Sequence, residues 1–105
     1  MTTGQLPGQG PAPHLPQEVA AAILAHPAVA RLDGGPFGVI ASYLPGHRVV
    51  GVRIGDGDGP VEVAVVVRLT WPGGLPALAD ELAAVVRGVV GERPVDVTVA
   101  DVVPS

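Results

Sequence analysis

Apolar and polar positions alternate most regularly in the second half of the chain. Val61, Val63, Val65, Val67, Leu69 and Trp71 share one parity, while Glu62, Ala64, Val66, Arg68 and Thr70 share the other. A period of two predicts a strand with one face on a core and the other partly solvated. Trp71-Pro72-Gly73-Gly74 then reads as a turn into a helix. Pro76 suits the first helical turn, Asp80 and Glu81 lie toward the positive end of the helix dipole, Arg87 lies toward the negative end, and Gly91 stops the helix. Leu78, Leu82, Val85 and Val89 recur at helical spacing, so each is expected to bury against the sheet for about 1.5–3 kcal/mol before entropy is subtracted. The stretch from Pro94 to Val103 alternates again, setting Val95, Val97 and Val99 against Asp96, Thr98 and Ala100. A crossover through a helix places it parallel to the Val61 strand, with right-handed connectivity.

The first half is less regular. Residues 1–15 are dominated by Gly, Pro, Gln and Thr and offer too few apolar side chains to offset ordering, so they read as a flexible Gly/Pro-rich tail. Just after Pro16, an alanine-rich segment from Gln17 to His26 sets Val19, Ile23 and Leu24 on one helical face, and Pro27 ends or kinks it. From Ala28 to Gly38 the pattern weakens, with a turn at Asp33-Gly34-Gly35-Pro36. Phe37 to Tyr43 reads as a short strand and Arg48 to Ile54 as a longer one. Gly55-Asp56-Gly57-Asp58-Gly59-Pro60 then has the composition of a hairpin turn. The expected fold is a two-layer α+β domain over 16–104, of order α-β-β-β-α-β, with a mixed sheet of three to four strands and two helices on one face.

Composition narrows the function. A chain of 105 residues forms one domain with a modest core. A net charge of −4 and six scattered arginines disfavour nucleic acid and a charge-driven grip on anionic lipid. The absence of cysteine excludes disulfides, thiolate metal sites and cysteine catalysis. The longest apolar run, Val19 to Ala25, is far short of the roughly 20 residues that span a bilayer, and no secretory signal pattern precedes it. The expected location is therefore the cytoplasm, with membrane association only through a partner.

Each candidate for chemistry has a plain structural alternative. His14, His26 and His47 lack the spacing that brings imidazoles together, so no metal site is expected. Asp56 and Asp58 resemble the opening of a calcium loop, yet the closing glutamate is missing and a hairpin tip explains them. Gly35-Pro36-Phe37-Gly38 has the spacing of an RNA-binding GxxG loop, but such a loop joins two helices and carries basic residues. The Gly73-Gly74 turn offers backbone amides to an anion, with two carboxylates close behind it and no lysine. Ser42 and Ser105 lack a nucleophile-elbow context. Trp71 is read as a core or rim aromatic, with an interface anchor as the alternative. No catalytic, cofactor-binding or metal-ligating residue is expected.

Gly51-Val52-Arg53-Ile54, Val61 to Leu69, Trp71 with Gly73, the Leu78 to Val89 helix and Pro94-Val95-Asp96-Val97-Thr98-Val99 together resemble the alkaline-shock, envelope stress response proteins of Gram-positive bacteria. His26-Pro27-Ala28-Val29-Ala30-Arg31-Leu32 is similar to the opening of short, high-GC members, so the likeness spans residues 16–103. It implies a non-enzymatic cytoplasmic scaffold without cofactors. Such a scaffold self-associates, contacts family paralogues and binds a small transmembrane anchor protein at the inner face of the membrane. Trp71-Pro72 departs from the tyrosine-glycine common there, and the lysine-rich helix of low-GC members is missing. The alternatives are a small iron-sulfur-assembly-like or metabolite-binding α+β domain, or an enzyme using the Gly73-Gly74 turn.

Overall fold

The alternation in the second half forms the centre of the protein. In the computed structural model, which describes residues 14–68 and 72–104 and the backbone alone of His47, β5 (Val61–Arg68) pairs in parallel with β6 (Val95–Val103). The two are joined through helix α2 (Gly74–Val90). The register is Val61 on Val95, Val63 on Val97 and Val65 on Val99. It then slips at Val65/Val66, so that Val66 meets Asp101 and Val67 meets Val102. Ala100 is the extra residue of this bulge. The slip keeps Val102 on the same face as Val99 and packed on the core.

The opposite edge of β5 is shared by two short antiparallel strands. β1 (Val29–Leu32) meets residues 65–67, and β4 (Val52–Ile54) meets residues 61–63. Since β6 already occupies one side of β5 along its whole length, β1 and β4 lie end to end on the other side. At their junction the single residue Ala64 accepts from Asp33 N–H (2.9 Å) and donates to Gly51 C=O (3.0 Å). A separate two-stranded sheet of β2 (Ala41–Leu44) and β3 (His47–Val50) rises from this point.

The α+β class, the mixed sheet and the packing of both helices on it agree with the sequence, while the element order is longer, α-β-β-β-β-β-α-β. Two strands account for the difference. The first is β1, whose four residues hold too little pattern to be read alone. The second comes from the expected strand Arg48 to Ile54, which breaks at Gly51, where φ is +96°. β-Branched neighbours avoid that region, so the chain turns there and gives its two halves to different sheets. The expected strand from Phe37 to Tyr43 is confined to residues 41–44.

The main core lies between the helices and the odd-numbered face of β5. Val61, Val63, Val65 and Val67 meet Val19 and Ile23 of α1 (Leu15–Leu24) and Leu78, Leu82 and Val86 of α2, all solvent-free. Two details differ from the helical reading. Leu24 is half exposed because it lies a full 100° beyond Ile23 around the axis. The inward stripe of α2 is Leu78, Leu82 and Val86, with Val85 and Val89 only partly buried. The far face of β5 also differs from expectation, since Ala64 and Val66 are fully buried instead of partly solvated. Ile40 and Ala41, in the excursion 33–51, are buried as well without joining the helix-side cluster. No helix among the described residues is long and apolar enough to cross a membrane.

Candidate functional site

The polar groups singled out in the sequence are mostly committed to holding the fold. Asp56 and Asp58 lie at the tip of the β4–β5 hairpin, where Asp56 C=O accepts from Gly59 N–H at 2.8 Å. Arg93, buried just ahead of β6, reaches into this tip. Its Nη2 donates to Gly55 C=O at 2.6 Å and its Nε to Gly59 C=O at 3.0 Å. A guanidinium thus occupies the carbonyls that a cation would need, and among the described residues no three His, Asp or Glu side chains converge on a metal position. Ser42 donates its hydroxyl to Val52 C=O at 2.6 Å, tying β2 to β4.

The three histidines are placed apart. His14 pairs with Glu18 at 2.7 Å on the exposed start of α1, and the side chain of His47 lies outside the described residues. His26 is a buried latch. Its Nδ1 accepts from Ala28 N–H at 3.0 Å, which leaves the proton on Nε2 to donate to Glu81 Oε2 at 2.6 Å. The ring therefore joins the end of α1, the start of β1 and the middle of α2. Nothing in the sequence pattern marks this role, because its partner lies 55 positions away.

Gly35-Pro36-Phe37-Gly38 joins β1 to β2, with Gly38 N–H donating to Gly35 C=O at 3.1 Å, so it lacks the helix-flanked setting of an RNA-binding GxxG loop. Gly73 caps α2 through backbone alone, and the first turn of that helix contains neither an acidic nor a basic side chain. Trp71, read as a core or interface aromatic, and the tail 1–13 lie outside the described residues.

Two surface features remain. The first is the arm 33–51, where Phe37 is 87% exposed, Tyr43 72% and Val39 56%. On its outward face Tyr43 lies opposite Arg48, whose guanidinium carbon is 6.0 Å from the ring centre. The second is a groove of about 350 Å³ between α2 and the outer edge of β6. Ala79, Asp80, Ala83 and Arg87 line one wall and residues 95–97 the other. Sequence reasoning missed this groove because it treated Asp80 and Arg87 only as helix-dipole partners. No protein-family model, no curated protein and no solved structure matches this chain.

Proposed function

We propose that this protein is a non-enzymatic interaction module, a scaffold that works by self-association and by contact with a membrane-anchored partner. The observation that carries the reading is the exposed apolar arm. Phe37, Val39 and Tyr43 present large side chains to solvent on a segment in which Ile40 and Ala41 are buried and Val49 packs against the core. Phe37 and Val39 lie on the loop that leads into β2 and Tyr43 on the strand itself; apolar groups exposed in this way contribute nothing to the stability of a lone domain and fit a protein contact. The polar side chains that would carry chemistry are instead spent on turns, strand ties and the interhelical latch.

The resemblance to alkaline-shock proteins supplies the cellular setting of this reading: the inner face of the cell membrane, reached through a small transmembrane protein, in the envelope stress response. The test is a detergent-solubilised pull-down of tagged protein from the cells that express it, run beside Phe37→Ser/Tyr43→Ser. Enrichment of a small membrane protein by the wild type and its loss with the double variant is the expected result. Recovery of metabolic or RNA-bound complexes in its place, unaffected by the double variant, would overturn the reading.

A further inference from the structure

The groove beside β6 has the features of a self-complementary face. Among the described residues β6 pairs with β5 on one side only, and its other side presents backbone groups with no strand partner there. Natural edges of this kind are usually blunted by lysine, proline or a bulge. Here the prolines stand outside the strand at Pro94 and Pro104 and the bulge lies at Ala100, which leaves residues 95–99 as an unbroken stretch. Within it only Asp96 is charged.

The wall above this edge is also patterned. Ala79 and Ala83 add little bulk to the groove wall, and Asp80 and Arg87 flank Ala83. The two charges are seven residues apart, about 10.5 Å along α2. Both are exposed, and neither has an ion-pair partner among the described residues. A two-fold axis beside Ala83 would reverse the order of the charges on the opposing helix. Asp80 would then face Arg87, and Arg87 would face Asp80.

We propose that this face receives a second copy of the chain. The two β6 strands pair antiparallel about Val97, setting Val95 against Val99 and Asp96 against Thr98. The two α2 helices close over the junction with reciprocal Asp80–Arg87 ion pairs. A two-fold contact demands that one patch complement itself, and an acid and a base placed symmetrically about a small residue meet that demand. The inference rests on the reading of the protein as a self-associating module and names the surface through which it does so.

The test is sedimentation of the full chain from micromolar to millimolar concentration, with circular dichroism as a check on folding. Wild type is expected to be dimeric. Asp80→Arg places two arginines on the face and Arg87→Asp two aspartates, so each variant alone is expected to be monomeric. An equimolar mixture is expected to restore the dimer, because its faces are again opposite in sign. A wild-type dimer unaffected by either substitution overturns this interface while leaving self-association standing. A monomeric wild type overturns both, and capture of the membrane partner through the arm is then judged separately by Phe37→Ser/Tyr43→Ser. Loss of that capture in Arg87→Asp, with a monomeric wild type, would mean that the groove takes up a strand of the partner and not a second copy.

Discussion

Substituting Gly51 by alanine tests whether the split between the two sheets is fixed by local sterics. At this position φ is +96°, and a Cβ would stand 2.7 Å from Leu32 Cβ, 3.1 Å from Asp33 N and 3.2 Å from Ala64 O. All three atoms are held by the ladder around β5 and cannot swing aside as the end of a long side chain would. The dihedral alone costs an L-residue about 1–2 kcal/mol. The smaller conformational freedom of unfolded alanine offsets about 0.4–1 kcal/mol of this. Forcing a methyl group into a packed site adds about 1–3 kcal/mol. Gly51→Ala should therefore destabilise by about 1–4.5 kcal/mol. Gly46→Ala provides the control, since Gly46 has φ +84° but no atom within 4 Å of the added methyl. It should cost about 1.5 kcal/mol or less. Urea unfolding followed by far-ultraviolet circular dichroism measures both, with an unchanged m-value indicating a change in native stability. Equal midpoints for the two variants would refute the packing argument, because the dihedral term would then account for everything.

Leu82→Ala should cost about 2–5 kcal/mol in the same assay, as a solvent-free leucine between the helices and β5, and Leu82→Asp should leave no cooperative transition. His26→Ala strands the Ala28 amide in a buried position and should cost about 1–3 kcal/mol, whereas Glu81→Gln keeps an acceptor for His26 Nε2–H and should cost less than about 1 kcal/mol. Equal losses from these two would show that the link to Ala28 contributes nothing. Arg93→Lys loses the fork that spans Gly55 and Gly59, so it should lower stability by about 1.5–3 kcal/mol and speed amide exchange over residues 55–60. Unchanged exchange there would remove Arg93 from its role in holding the hairpin.

The sequence was most legible where one periodicity ran long enough to outvote its neighbours. β5, α2 and β6 all lie in such stretches, and the 55–60 hairpin was legible from its glycine-rich turn composition. β1 was not, because four residues with a single deeply buried valine carry no distinguishable period, and only pairing with β5 makes them a strand. Gly51 hid its break inside a valine-rich run. The two-sided burial of β5 did leave a trace: Ala64 and Val66 are apolar at positions that a solvated face would fill with polar residues. The groove left none that could be read linearly, since a carboxylate and a guanidinium two turns apart acquire meaning only when β6 is placed beside them. The His26 latch was illegible for the same reason.

The junction at Ala64 bears on how this fold tolerates change. Asp33 and Gly51 bond to the same residue, so the chain leaves the sheet and re-enters it at one point, with 17 residues (34–50) in between. A loop whose two ends already touch can be lengthened at little cost, because closure entropy grows only logarithmically with length. The arm is in effect a side branch on a closed scaffold. Residues added at its tip are therefore expected to leave the pairing of the valine sheet beneath it unchanged.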